Sequence, residues 1–173
     1  MRQAWAKRIN ATATSAVGRL FDAASALLGL IETASFEGQG PMLLEAICAS
    51  ETAGVSLPLT LDAEGVLRCD WEPLLPYMLD EQLSVGERAA GFHASLAQAL
   101  LDQAMSLREL SGVFVVGLAG GVFQNRVLTE SAVTLLQANG FEVRYAAALP
   151  CNDAGISFGQ VIEVAHRDEV HLS

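Results

Sequence analysis

The residues with chemistry to offer stand in short polar stretches between apolar runs. Gly120-Gly121-Val122-Phe123-Gln124-Asn125 follows the apolar run Val113 to Leu118 and precedes a helical pattern that ends at Asn139-Gly140. Paired glycines admit a ligand close to the backbone, and the helix that starts near Gln124 or Asn125 offers free N–H groups and a dipole suited to an anion. Asn125 can donate and accept, which suits a ribose, a base edge or a phosphate; its bland role is a helix cap. Asn152-Asp153 ends a second apolar run, Phe141 to Ala148. An aspartate there is either an N-cap or a hard oxygen ligand for a divalent metal, and Asn152 shares its turn. Gly18 and Asp22 stand four residues apart in an early helical stretch, so one turn brings them together. Gly18 serves either a helix contact or a ligand; Asp22 is either a solvated acid or a partner for ribose hydroxyls. Glu37, inside Phe36-Glu37-Gly38-Gln39-Gly40, meets a ligand or caps the next helix.

Other residue types exclude more than they suggest. No Lys-Ser or Lys-Thr follows the glycines, so this is not a Walker loop. Cys48, Cys69 and Cys151 form no CxxC pair, and His93, His166 and His171 form no HxxxH or HExxH pair. That removes a disulfide framework, a structural zinc site and a self-contained histidine metal site. Cys151 reads as a packed thiol, and His93, near the start of a long helix, as an ordinary exposed or half-buried residue. The net charge of −10 comes with no basic stripe, which argues against a nucleic-acid partner. With 51% hydrophobic and 17% charged residues over 173 positions, the chain can bury one real core. No apolar run reaches bilayer length and no signal segment opens the chain, which reads as a cytoplasmic protein with no membrane partner.

These residues need elements to hold them. Residues 1–13 read as a flexible or weakly helical start, and 14–173 as a single lobe. Ser15 is placed to cap a helix through Val17, Leu20, Phe21, Ala24, Leu28 and Ile31. Pro41 suits the first position of a second helix reaching about Ser50. Leu57-Pro58-Leu59 and Val66-Leu67-Arg68 flank Asp62-Ala63-Glu64-Gly65 as a hairpin near 55–70. A short helix starts at Asp70 or Trp71 and runs to Leu79. Ser84 and Glu87 form a capping box for a long helix to about Glu109, with Phe92, Leu96, Leu100, Ala104 and Leu107 as its core stripe. Thus 14–110 is mainly helical. The remainder, 111–167, is a βαβα unit, with Val113–Leu118 as a buried strand, a right-handed crossover and a closing helix from about Ala154 to His166. Both polar loops then lie at the carboxyl ends of parallel strands, where open α/β sheets bind ligands. Two parallel strands are too few for a stable sheet, so the hairpin, another chain or residues outside this sequence must complete it.

Four stretches in this order, Ser15-Ala-Val-Gly-Arg-Leu-Phe-Asp-Ala23, Phe36-Glu-Gly-Gln39, Gly120-Gly-Val-Phe-Gln-Asn125 and Pro150-Cys-Asn-Asp-Ala-Gly-Ile-Ser-Phe-Gly-Gln160, closely resemble the C-terminal end of the HypF carbamoyltransferases of [NiFe]-hydrogenase maturation. The resemblance implies a Kae1-like domain of the actin-like, ribonuclease H-like ATPase superfold, here an α/β C-terminal lobe with a small, incomplete parallel sheet. It implies an enzyme that makes carbamoyl-adenylate from carbamoyl phosphate and ATP and passes the carbamoyl group to the C-terminal cysteine of the partner HypE, for the cyanide ligands of the hydrogenase iron. Carried over by position, Gly18, Asp22, Gly120, Gly121 and Asn125 contact the nucleotide, and Asp153 ligates a divalent metal, zinc or iron. The family's HxxxH metal motif, acylphosphatase-like domain, zinc fingers and adenylate-forming YrdC-like domain are not in this sequence. Ala119 and Ala154 replace the usual serine and glycine. The chain therefore reads as a C-terminal fragment, inactive alone, with a non-catalytic docking or self-associating module as the alternative and a homodimer through an open sheet edge as its form. A small actin-like kinase is disfavoured, because the first phosphate loop is missing.

Overall fold

The structure, a computed structural model, describes residues 14–49 and 52–171 and, before them, positions 3, 6, 7 and 9. The reading of 1–13 as a flexible or weakly helical start falls largely outside these residues.

Helix α1 spans Val17–Leu27 and buries Phe21, Ala24 and Ser25. Ser15 does not cap it. The N-cap is Ala16, without a side-chain bond, and the Thr14 hydroxyl instead accepts from the Ala16 N–H at 3.1 Å. The helix stops at Leu28 and Gly29, whose φ of +71° turns the chain before Ile31 can join the stripe. Helix α2, Gln39–Ala46, starts at the positive-φ Gly38, so Pro41 is its third residue rather than its first. Proline is tolerated there because the first four N–H groups of a helix lack intrahelical partners. The helix ends at Ala46, short of Ser50, which lies outside the described residues. A Cβ added to Gly40 would stand 3.2 Å from Ser25 Cβ, so this glycine lets α1 and α2 close on each other.

Strands β1, Leu59–Leu61, and β2, Leu67–Cys69, pair antiparallel with Leu59 opposite Cys69. Asp62 holds their turn, its Oδ1 accepting from Glu64 N and Val66 N at 2.9 and 2.8 Å. Helix α3 is only Leu74–Met78, because 70–73 form turns that end in Pro73 as its cap. Helix α4, Val85–Ser111, is the spine of the molecule. Ser84 Oγ accepts from Glu87 N, and the Glu87 carboxylate accepts from Ser84 N at 2.8 Å. At its other end Gly112 adopts φ +71°. Its stripe holds as far as Ala104; Leu107 is exposed, as the helix runs past the elements that could cover it.

Strands β3, Val115–Leu118, and β4, Glu142–Tyr145, are parallel, with Val115 opposite Glu142, and α5, Arg126–Ala138, is their crossover. Helix α6, Ile156–His171, closes the described chain. The hairpin does not extend this sheet; the two pairs are separate sheets. The expectation of a buried strand is corrected accordingly. Leu118 is buried against Leu101, Ala104, Leu136 and Phe141, but Val113, Phe114 and Val115 are exposed, Phe114 at 59%. One strand neighbour and one covered face cannot enclose an apolar run.

The main core gathers Phe21, Leu44, Leu57, Leu74, Met78, Phe92, Leu96 and Leu128 from five helices and the segment before β1. Phe21 and Phe92 meet edge to face at 5.0 Å, binding α1 to the spine. Each fully buried side chain of this size contributes about 1.5–3 kcal/mol of burial. No helix among the described residues is long and apolar enough to cross a membrane.

Candidate functional site

Three loops and the first turn of α1 meet at one cleft of about 890 Å³. It is lined by Gly18, Arg19 and Asp22 of α1, Glu37 and Gly38 before α2, Met42 and Glu45 of α2, Gly121, Gln124 and Asn125 of the glycine loop, and Asn152 and Asp153. Of the site residues read from the sequence, Gly18, Asp22, Glu37, Gly121, Asn125, Asn152 and Asp153 therefore share one wall. Gly120 is adjacent and serves the backbone.

Gly120 adopts φ +108° and ψ 156°, a conformation open essentially to glycine alone. That turn aims its N–H at the carbonyl of Cys151, 2.7 Å away, and so ties the loop after β3 to the loop after β4. A Cβ on Gly121 would meet Asn152 Cβ at 3.8 Å, the same two loops in contact. Gly18 also lines the cleft. A Cβ there would meet nothing within 4 Å, so helix packing does not explain the glycine, and its face opens on the cleft.

The glycine loop continues as a 3₁₀ turn, Gly121–Gln124, and Asn125 caps α5, Oδ1 accepting from Leu128 N at 2.9 Å. Asn125 is thus a cap and a cleft residue at once. The reading of the α5 N-terminus as an open anion site needs correction. The Arg126 N–H already donates to Glu45 Oε1 at 3.1 Å, so the protein's own carboxylate sits at the positive end of that helix. Across the cleft the cap of the turn Asp153–Gly155 is Asn152, whose Oδ1 accepts from Ala154 N at 3.1 Å. Asp153 is relieved of capping. Its carboxylate is exposed, with no hydrogen bond or ion pair among the described residues. Glu37 caps nothing either, because Gly38 holds the α2 cap position without any side-chain bond.

Asp22 is paired with Arg19 at 3.0 Å, an exposed contact worth at most about 1 kcal/mol and easily exchanged for a ligand. Arg19 is the one basic side chain against four carboxylates in the lining: Asp22, Glu37, Glu45 and Asp153. A polyphosphate would meet a net negative wall here and needs a cation with it. No group of three or more His, Cys, Asp or Glu side chains able to hold a metal exists among the described residues.

Sequence reading missed His93, Glu45 and Arg19. His93 is fully buried, not exposed or half-buried, with Nε2 2.9 Å from Asn125 Nδ2 and Nδ1 2.8 Å from the Ala89 carbonyl. Burial pushes its pKa down. The spacing gave no warning, since His93 lies within an apolar stripe 32 residues from Asn125. Cys48 Sγ lies 3.3 Å from His93 Nδ1, and burial, then the charge of Glu45, push its thiol up to about 11. A thiol so raised is no nucleophile at neutral pH. A larger hollow, about 1230 Å³, adjoins this cleft through Met42 and Glu45 and is lined by Cys48, His93, Ser95, Gln98 and Arg126 among others; it gathers none of the site residues read from sequence.

The fold and this cleft define an α/β lobe of the Kae1-like class, two glycine-bearing elements facing an Asn-Asp turn. Residues 1–160 match the family described as the carbamoyltransferase Kae1-like domain, second subdomain. The carbamoyltransferase HypF of Synechocystis sp. is 37% identical over 94% of the chain and 21% of its own length. That of Rhodobacter capsulatus is 36% identical over 97% and 22%. A crystal structure of full-length HypF in a phosphate- and nucleotide-bound form superposes with a TM-score of 0.84 at 31% identity, over 91% of this chain and 21% of that one. HypF of T. kodakarensis gives 0.76 at 27% identity over 92% and 21%. The chain belongs to the HypF carbamoyltransferase family, as its Kae1-like second subdomain, and spans about a fifth of the length of these relatives.

Proposed function

We propose that the cleft is one wall of a nucleotide site in a carbamoyltransferase that makes carbamoyl-adenylate from carbamoyl phosphate and ATP. The carbamoyl group then passes to the C-terminal cysteine of HypE, in hydrogenase maturation in the cytoplasm. The observation that carries this is the convergence of Gly18, Asp22, Gly121, Asn125 and Asp153 on one cleft, from three separate stretches of the sequence. Support comes from the nucleotide-bound state of the HypF structure that this chain resembles.

In this reading Gly18 and Gly121 bring backbone within reach of the nucleotide, Asp22 exchanges Arg19 for ribose hydroxyls, and Asn125 offers its remaining amide valences. Asp153, free of capping, supplies one oxygen ligand to a divalent zinc or iron ion whose other ligands come from outside these residues. Such an ion would neutralise phosphoryl or carbamoyl oxygen charge, and the acidic wall demands that neutralisation. The isolated chain performs no transfer. Calorimetric titration with ATP, with and without the metal, tests the reading. Binding that is lost in Asn125→Ala supports it; carbamoyl transfer to HypE by this chain alone would overturn the claim of inactivity.

A second reading is favoured by exposed apolar side chains, Phe114 just before β3 and Ile156, Phe158, Val161 and Val164 on α6. Exposed apolar side chains fit a docking face, and an unpaired strand edge invites a second copy. Light scattering across a concentration series tests for the homodimer; a strictly monomeric chain removes it.

A further inference from the structure

We infer that His93 is a positioning residue for the cleft, holding the Asn125 carboxamide in the single orientation that caps α5 and keeps its remaining N–H for a ligand. Its functional consequence rests on the nucleotide reading above; its geometry does not.

The donors settle the direction of every bond. Leu128 N–H can only donate, so the Asn125 atom 2.9 Å away is the carbonyl oxygen and the amide nitrogen faces His93. An amide nitrogen can only donate, so His93 Nε2, at 2.9 Å, must be bare. The imidazole proton then sits on Nδ1, which donates to the Ala89 carbonyl at 2.8 Å. The Cys48 thiol donates to the Leu44 carbonyl at 3.4 Å and so leaves that proton uncontested. The chain runs from α5 through Asn125 and His93 into the backbone of α4 without a donor facing a donor. With both ends anchored, the carboxamide cannot flip, and one Nδ2 hydrogen and one Oδ1 lone pair stay unspent in a residue that lines the cleft.

Burial keeps the ring neutral: α1 presents the Phe21 ring at 5.3 Å and α4 itself presents Phe92, Cys48 follows the end of α2, and the charge of Glu45 on α2, which favours the imidazolium, is outweighed. A second proton would set an Nε2–H against the Asn125 N–H and release the carboxamide.

The test is a long-range ¹⁵N–¹H imidazole spectrum of the chain at neutral pH, followed by ATP·Mg titrations of wild type, His93→Gln and His93→Leu. Glutamine keeps an acceptor toward Asn125, whereas leucine keeps only bulk. The expected spectrum is the Nδ1–H tautomer with a bare Nε2. The expected affinities are a loss of about tenfold in His93→Leu and rescue to within about twofold in His93→Gln. An Nε2–H tautomer, or undiminished affinity in a folded His93→Leu, overturns the inference. If the wild type shows the Nδ1–H tautomer but binds no ATP, the nucleotide reading fails. The anchoring is then supported by slow exchange of the Asn125 amide protons and its loss in His93→Leu. The wild-type spectrum decides even if His93→Leu does not fold.

Discussion

The Gly120 amide donates to the Cys151 carbonyl across 2.7 Å, and this bond makes one site of two loops. Thirty-one residues separate the partners in sequence, with the whole crossover helix between them. It sets Gly121 beside Asn152, and with it the spacing of Asn125 and Asp153 across the cleft.

Gly120→Ala is therefore expected to lose about 1–3 kcal/mol of stability, since alanine strains at φ +108° and ψ 156°. It should also weaken ATP binding more than Gly121→Ala does, although Gly121 is the glycine that lines the cleft. Urea midpoints and calorimetry on the two variants check this; equal stability in both would sever the loop bond from the site.

Glu45 occupies the N-terminus of α5 through Arg126 N and adds negative charge to the cleft. Glu45→Gln should cost about 0.3–1 kcal/mol of stability and strengthen the binding of a polyanion. It should also lower the Cys48 pKa from about 11, because Glu45 is the second cause of that rise after burial. Alkylation rate of Cys48 against pH reads the shift; an unchanged profile would remove Glu45 from its surroundings.

Acid should weaken the fold through His93. Burial holds its folded pKa below the ordinary 6.5, so below that pH the unfolded chain binds more protons than the folded one. Stability is then fully present above about pH 6.5 and falls on acidification until the folded pKa is passed. His93→Gln should flatten this part of the curve. Urea midpoints between about pH 7 and 5 measure it, and identical slopes in the two proteins would contradict the assignment.

Ser84→Ala should cost about 1 kcal/mol by removing the cap of α4, the helix on which both core clusters rest. Thermal melts of the variant check that figure.

Ser84 and Glu87 also show what was legible. A capping box is local chemistry, and it marked the start of the spine to the residue. The glycine loop and the Asn-Asp turn were legible for the same reason, being short motifs at strand ends. Ser15 misled because a capping residue type one position early leaves no trace in the pattern, and Pro41 because proline suits any of the first helical positions. The burial of Val113 to Val115 was misread because apolar content reports what a strand can bury, not whether a neighbour is there. His93 and Glu45 were invisible for a deeper reason. Their roles lie in partners 32 and 81 residues away, set by how α2, α4 and α5 pack.

In the reading proposed above, a nucleotide binds in the cleft between α1, the glycine loop and the Asn-Asp turn. Amide chemical-shift mapping of the labelled chain during titration with ATP·Mg tests it most directly. Saturable shifts are expected at Gly18, Asp22, Gly121 and Asn125, abolished in Asn125→Ala. Saturable shifts confined to Ser95 and Gln98 in the larger hollow, or a folded chain unmoved at saturating nucleotide, would contradict it.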